Sequence, residues 1–329
     1  MNKHIHFLIL TELKSPADLP YFRMARSLAR CLTAKGFSCL FVSSRDSHPL
    51  LVRFQIPPEQ LAKAPNDNQR FLERIGELHR QHRFRAAAAF FRPESNPTPI
   101  ASLKPLFPFL LETQFEAHGK ACGHLVLFPA FHATLPWLDV DPASKIIRGP
   151  KAAIISETGG LPPSPNDQLL VWLTHPAKAH SPLAHLLQQL SNHFTVTQIC
   201  DTQMLEQQRD LSPHPQNWPY SLVLSDAHPR CLELAAWGKP FLHFPQNEQQ
   251  LTASYGMDQL GVAPSLGLLE AHPTEVHLQK ILAHRQSRSW TPFVLKAKRI
   301  CDGKGFNRIF PILLEGNILS GFGPNKETP

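Results

Sequence analysis

Short, mostly apolar runs alternate with amphipathic segments along most of the chain. Residues 4–10 form the first run. In residues 21–35 the apolar side chains recur every three or four positions until Gly36, as in a helix that ends at a glycine. Residues 37–43 are again mostly apolar, and strands that are apolar along their whole length are typical of parallel sheets covered on both faces. The order strand, helix, strand therefore predicts an α/β fold with parallel sheets.

The alternation occurs twice, on either side of a segment rich in turn-forming residues. Residues 148–168 are dense in Gly, Pro, Ser and Asn, and a new apolar run begins at residue 169. Two sheets joined by one linker leave a cleft between them, which is where such architectures bind ligands. We predict a Rossmann-like domain at residues 1–150, a linker at 151–168, a second Rossmann-like domain at 169–316 and a tail at 317–329.

Composition and charge exclude several classes of protein. The chain of 329 residues is 42% hydrophobic and 18% charged, which is typical of a globular protein, and it lacks an apolar stretch long enough to span a membrane. The net charge of +7 is spread out, and its densest part, residues 70–85, alternates with acidic and apolar positions, which argues against nucleic acid as a partner. The first residues lack a cleavage-site pattern, and the six cysteines form no CxxC pair. We therefore expect a cytoplasmic protein without a metal or cofactor.

One segment of the second half has the residue order of a nucleotide-sugar-binding site. After an apolar run come, in order, Ser225, Glu233, Gly238-Lys239-Pro240 and Gln249-Gln250. This order resembles that of GT-B fold proteins, especially the UDP-sugar hydrolases of pseudaminic acid synthesis (PseG), the SpsG spore-coat proteins and, more distantly, the MurG transferases. The resemblance implies that Glu233 holds a ribose and that Ser225 and one of Gln249 and Gln250 lie near the diphosphate or sugar. His228, in the loop after Ser225, is a further candidate donor.

Two more motifs resemble the PseG and SpsG proteins in particular. RGPKAAII at residues 148–155 is similar to their crossing into the second domain, and DGKGFNRI at residues 302–309 is similar to a motif near their C-terminus. We interpret Asp302 and Arg308 of the second motif as structural residues that orient a loop or cap a helix. The resemblance implies a GT-B-like fold, in which two Rossmann-like parallel-sheet domains face each other across a cleft.

The loops expected to hold phosphate depart from the family pattern. Aligned on Arg23, which the resemblance implies is a binding residue, residues 17–23 read ADLPYFR where the family has GxGHxxR, so both glycines and the histidine are replaced. Residues 226–227 are Asp-Ala instead of Gly-Gly, and residues 174–177 are Thr-His-Pro-Ala instead of GGxD. Bare backbone amides of glycine-rich turns bind phosphate, and a carboxylate such as Asp226 repels it. Hydrolase activity is therefore expected to be weak or lost.

Three functions stay open at this point. The first is a PseG- or SpsG-like protein of nucleotide-sugar or surface-glycan biosynthesis with weak or lost UDP-sugar hydrolase activity, in which Asp18 is the acidic group left in the altered loop. The second is a non-catalytic binding or scaffold protein with partners in a glycan pathway. The third is a GT-B glycosyltransferase that uses a UDP-sugar. UDP or a UDP-sugar is the implied ligand, and no metal site is expected because His175, His180 and His185, five residues apart, share no helical face.

Overall fold

The fold is described from a computed structural model, which covers residues 6–92, 99–115, 120–131, 139–156, 166–207, 217–226, 228–286 and 290–315. Within these residues the N-terminal half contains β1 (Phe7–Thr11), α1 (Leu19–Ala34), β2 (Cys39–Ser44), α2 (His48–Arg53), β3 (Leu61–Ala64), α3 (Asn68–His82), β4 (Ala86–Phe90), α4 (Ile100–Leu103), β5 (Leu110–Thr113), β6 (Leu125–Phe128) and β7 (Lys145–Arg148). The C-terminal half contains β8 (Gln168–Leu173), α5 (Pro182–Leu190), β9 (Thr195–Cys200), α6 (Asp201–Glu206), β10 (Leu222–Ser225), α7 (His228–Trp237), β11 (Phe241–His243), α8 (Glu248–Gln259), α9 (Thr274–Gln286), α10 (Trp290–Ile300) and α11 (Gly305–Glu315).

These strands form two parallel sheets. The first has the order β3-β2-β1-β4-β5-β6-β7, and in it Ile9 pairs with Phe41 on one side and with Ala88 on the other. The second has the order β11-β10-β8-β9, with Val223 between Leu170 and Phe241. The predicted α/β fold class with two parallel sheets is therefore confirmed.

The helices begin and end where the sequence supplies the required groups. Asp67 caps α3 by accepting from the amide of Arg70 at 2.9 Å, and Ser181 caps α5 by accepting from the amide of Ala184 at 3.2 Å. After α1 the chain turns at Gly36, whose φ of 85° is unfavourable for other residues. None of the helices in the described ranges combines the length and apolar character needed to cross a bilayer.

Two edge strands were not predicted from the sequence. β3 and β7 have four residues each, and both have side chains that are partly or fully exposed. An edge strand with exposed positions lacks the continuous apolar run that identifies a central strand of a parallel sheet. The two strands nevertheless complete the first sheet at its opposite ends.

The chain crosses between the two sheets at two places that lie side by side. The amide of Ile155 donates to the carbonyl of Gly303 at 3.0 Å, and the amide of Gly305 donates to the carbonyl of Ala153 at 2.9 Å. Arg308 pairs with Asp302, as the structural interpretation expects, and also donates to the Lys151 carbonyl at 3.1 Å. The RGPKAAII and DGKGFNRI motifs therefore meet at the junction of the two halves.

Apolar packing continues across this junction. One cluster of buried side chains contains Ile9 and Phe22 from the N-terminal half together with Trp172 and Trp237 from the C-terminal half. α11 returns to the first half, where the ring of Phe310 lies edge-on to that of Phe37 with centroids 6.2 Å apart. Separating the halves would expose this apolar surface to water, which opposes their separation.

The second crossing leaves no room for a side chain at Gly305. A Cβ atom there would lie 2.5 Å from the carbonyl oxygens of both Ala152 and Ala153. We expect Gly305→Ala to lower the free energy of unfolding by about 1–3 kcal/mol, because backbone atoms must shift to accept the methyl group. Urea denaturation followed by circular dichroism measures this change.

Gly76, inside α3, provides the matched control. The nearest atom to a Cβ at Gly76 is a guanidinium nitrogen of Arg80 at 3.7 Å, so there is room for a methyl group. Gly76→Ala is expected to raise the free energy of unfolding by about 0.5–1 kcal/mol through helix propensity. Equal effects of the two substitutions on the free energy of unfolding would show that the backbone around Gly305 can shift to accept a methyl group without cost.

Candidate functional site

A cleft of about 630 Å³ lies between the two sheets. The N-terminal half contributes Pro16, Ala17, Pro20, Tyr21, Arg92 and Phe115 to its wall, and the C-terminal half contributes residues that include Thr174, His175, Lys178, Asp201, Asp226, Phe244, Gln246, Asn247 and Gln250. Many of these residues follow the carboxyl ends of parallel strands, the edge at which α/β sheets bind ligands. Small-molecule sites typically measure about 300–1,000 Å³, so the cleft is large enough for such a ligand.

Amide side chains at the start of α8 form one polar part of the wall. Asn247 caps α8 by accepting from the amide of Gln250 at 3.0 Å, and Gln250 Oε1 accepts from the amide of Gln246 at 2.8 Å. Gln250, one of the two predicted glutamines, is also part of the cleft wall. Gln249 and His228 occupy the second position of α8 and the first position of α7, and their side chains lie outside those the structure describes.

A buried ionic network lies behind the C-terminal wall. The guanidinium of Arg230 donates to the Trp172 carbonyl at 2.6 Å, to Ser225 Oγ at 3.2 Å and to Asp226 Oδ1 at 3.1 Å, and it pairs closely with Asp201. It also lies over the indole of Trp172, 4.9 Å from the ring centroid. The predicted binding residue Ser225 is fully buried, and its hydroxyl accepts a hydrogen bond from Arg230.

The Asp226 carboxylate accepts a hydrogen bond from the backbone amide of Thr174, the residue that follows the interior strand β8. Its two oxygens lie 3.0 and 2.9 Å from the amide nitrogen of Thr174, whose hydroxyl also donates to Oδ1 at 3.1 Å. Burial raises the pKa of Asp226, while the charge of Arg230 and the hydrogen bonds from Thr174 act in the opposite direction. An amide at this edge is a typical phosphate donor, and here a carboxylate of the chain itself is bound to it.

Two carboxylates of the first half also accept hydrogen bonds from backbone amides. Glu12, just after β1, accepts from the amide and the hydroxyl of Ser44 at 2.7 and 2.6 Å. Asp18, the acidic candidate of the altered loop, accepts from the amides of Lys14 and Ser15 at 2.9 and 2.8 Å and from the Ser15 hydroxyl at 3.0 Å. Asp18 thus orders its own loop, and it does not belong to the described wall of the cleft.

Proline removes further amide donors at the cleft. Pro20, Pro182 and Pro229 lie in the first turns of α1, α5 and α7, and all three line the cleft. The first turn of a helix is where backbone amides are free to bind an anion, and proline has no amide hydrogen. Helix N-termini therefore offer fewer phosphate donors here than the fold permits.

Arg23 and Glu233, both predicted binding residues, contact each other across the junction of the halves. Arg23 extends from α1 to within 3.6 Å of Glu233 Oε2 and 3.9 Å of Asp201 Oδ1. Its guanidinium lies 5.0 Å from the centroid of the Trp172 ring and 3.4 Å from Met204 Sδ. Neither Arg23 nor Glu233 is part of the described cleft wall, so this pair joins the two halves behind the cleft.

His175 is a candidate functional residue to which the sequence analysis assigned no role, since it lies in the segment that replaces GGxD and its spacing from other histidines excludes a metal site. It is exposed on the cleft wall, with Nδ1 3.0 Å from Thr202 Oγ1. The Thr202 hydroxyl donates its hydrogen to the Thr174 carbonyl at 3.0 Å, so Oγ1 accepts from the Nδ1 hydrogen and Nε2 is left as the basic nitrogen. Within the described ranges no three residues are grouped as metal ligands.

Comparison with solved structures assigns this architecture to the GT-B glycosyltransferase fold. MurG of Acinetobacter baumannii aligns with a TM-score of 0.61 over 94% of this chain and 99% of its own, at 12% identity. The glycotransferase of kitacinnamycin aligns at 0.63 over 95% and 100%, at 10% identity. The spinosyn rhamnosyltransferase SpnG complexed with thymidine diphosphate aligns at 0.56 over 94% and 100%, at 11% identity. No family model and no curated protein matches the sequence, so the likeness concerns the fold.

The buried network generates a stability prediction. Arg230→Met leaves Asp201 and Asp226 buried without their shared cation, so we expect it to lower the free energy of unfolding by about 3–5 kcal/mol. Arg53→Met, at an exposed position of α2, is the control and should change it by less than about 0.5 kcal/mol. Urea denaturation measures both values. A loss below about 1 kcal/mol for Arg230→Met would contradict a structural role for the network.

The raised pKa of Asp226 generates a prediction of pH dependence. An acid whose pKa is higher in the folded than in the unfolded state loses part of its contribution to stability as pH rises through the folded-state pKa. An asparagine side chain does not titrate, so the stability of the native chain relative to Asp226→Asn should fall as pH rises above about 4, the unfolded pKa of Asp. Urea denaturation at intermediate pH values measures this difference. A difference that grows with pH would show that pairing with Arg230 outweighs burial.

Proposed function

We propose that this protein is a GT-B glycosyltransferase of glycan biosynthesis, which transfers a sugar from a nucleoside diphosphate sugar to an acceptor. The observation that carries the proposal is the cleft of about 630 Å³ between the two sheets, formed by both halves at the carboxyl ends of their strands. Solved structures of the same fold support it, since two of them are named as transferases and one of these two contains thymidine diphosphate.

In the proposed reaction the acceptor hydroxyl oxygen forms a bond to the anomeric carbon of the donor. The bond from that carbon to the diphosphate breaks, and its electron pair leaves with the nucleoside diphosphate. His175 takes the acceptor proton at Nε2, because its Nδ1 is held by Thr202 and imidazole is an effective base near neutral pH. Lys178 and Arg92 line the cleft from opposite halves and offset the charge of the diphosphate.

A second candidate is non-catalytic binding of a sugar ligand or a glycan-pathway partner. The carboxylate of Asp226 on the Thr174 amide favours it, because this contact occupies a donor that a diphosphate would use. The narrower PseG- or SpsG-like assignment rests on the sequence motifs and adds a third outcome, in which water replaces the acceptor.

One assay separates these functions. The purified protein is incubated with UDP-sugars and TDP-sugars, with and without acceptor glycans, and released nucleoside diphosphate is measured, while calorimetry measures binding. Release only with an acceptor supports transfer, and release without one supports hydrolysis instead. Binding without release favours the second candidate. Absence of both binding and release contradicts a nucleotide-sugar function.

The role of His175 gives a specific prediction. We expect His175→Gln to lower the transfer rate about 100-fold or more, the effect of losing a general base, and to leave donor affinity unchanged. His185→Gln is the control, since His185 is exposed on α5 and does not belong to the described cleft wall. Equal activity of the two variants would exclude His175 as the base.

A further inference from the structure

A second groove, of about 290 Å³, lies at the first crossing between the sheets and carries charges of one sign. We name it the hinge groove, and its wall consists of Arg148, Gly149, Pro150, Lys151, Arg299 and Ile300. Its three charged residues are all cationic and all exposed. No carboxylate belongs to this wall in the described part of the chain.

The three cations come from separate segments. Arg148 ends the edge strand β7, Lys151 lies in the turn that follows, and Arg299 lies in the last turn of α10. The partial negative charge of a helix C-terminus explains a cation at Arg299, whereas Arg148 and Lys151 lie at no α-helix terminus. Like charges that face one groove repel each other, and a bound anion would relieve this repulsion.

The backbone of the hinge groove is held in place. The Gly149 amide donates to the Phe128 carbonyl at 2.9 Å, and the Lys151 carbonyl accepts from Arg308 at 3.1 Å. The charge of Arg308 is neutralised by Asp302, since its two Nη atoms donate to the Asp302 carboxylate oxygens at 2.9 and 2.6 Å. The cations are therefore presented by an ordered turn and a helix, in contrast to lysines scattered over a solvated surface.

We propose that the hinge groove is a binding site for a phosphate group. Two guanidinium groups and an ammonium match the charge of a phosphate, and guanidinium binds phosphate oxygens in pairs. The phosphate would belong either to a small soluble compound or to a lipid headgroup. The site is separate from the cleft and does not depend on what the cleft binds.

Calorimetric titration of the full-length protein with inorganic pyrophosphate at low ionic strength tests the soluble source. We expect Arg148→Ala and Lys151→Ala each to weaken binding about tenfold, as expected for the loss of one charge-assisted hydrogen bond. Arg53→Ala and Lys63→Ala, at exposed positions of α2 and β3, are the matched controls and should bind as the native chain does. All the substituted side chains are exposed, and thermal unfolding checks that each variant is folded.

Co-sedimentation with vesicles tests the lipid source. Vesicles of phosphatidylcholine with phosphatidylglycerol are compared with vesicles of phosphatidylcholine alone, using the same variants. Binding to either probe that Arg148→Ala and Lys151→Ala weaken supports the proposal and identifies the source. Binding of neither probe overturns it. Pyrophosphate binding that Lys178→Ala abolishes and Lys151→Ala leaves unchanged would assign the anion to the cleft and also overturn it.

Discussion

The buried guanidinium of Arg230 holds the C-terminal half of the cleft together. It joins the end of β8, the end of β10 and the first residue of α6 through the Trp172 carbonyl, Asp226 and Asp201. Charges buried this deeply are tolerated only when they are paired and hydrogen-bonded. Arg23 contacts the same tryptophan ring from the other half. The position of the cleft wall therefore depends on one set of ion pairs that extends into both halves.

Carboxylates of the chain accept hydrogen bonds from backbone amides in both halves, and this limits how backbone amides could recognise an anion. In a glycine-rich turn the backbone amides bind the phosphate directly, whereas Glu12, Asp18 and Asp226 bind such amides here with carboxylates of the chain. This agrees with a composition of 16 glycines against 32 prolines, because a loop ordered by its own side chains needs fewer positions of close backbone approach. Recognition of an anion in the cleft then depends on side chains such as Lys178 and Arg92.

The fold class predicted from the sequence is confirmed by the two parallel sheets, whereas the predicted binding roles of the site residues stay predictions. The central strands are continuous apolar runs, so the alternation of strands and helices and the two parallel sheets could be inferred, whereas β3 and β7 expose part of their residues and were missed. The order of motif residues predicted that Glu233 binds a ligand. In the structure Glu233 contacts Arg23, and this contact forms only because the two halves of the chain pack together. His175 carries no motif, and its basic nitrogen is defined by Thr202 in another element. Such tertiary contacts have no local sequence signal.

The two crossings explain why residues so distant in sequence can affect one cleft. A rotation of one half against the other would act on the paired segments near Ala153 and Gly303, because the chain crosses between the halves there. On the cleft side, the same rotation would remove Arg23 from Glu233 and Asp201 and uncover the apolar cluster that contains Phe22 and Trp172. Glu233 would lose its contact with Arg23, whereas Asp201 would keep its contact with Arg230. The ion pair of Glu233 and the apolar cluster therefore both oppose opening of the junction. These contacts therefore oppose a change in the width of the cleft, and the side chains on its wall determine which ligand it can accept.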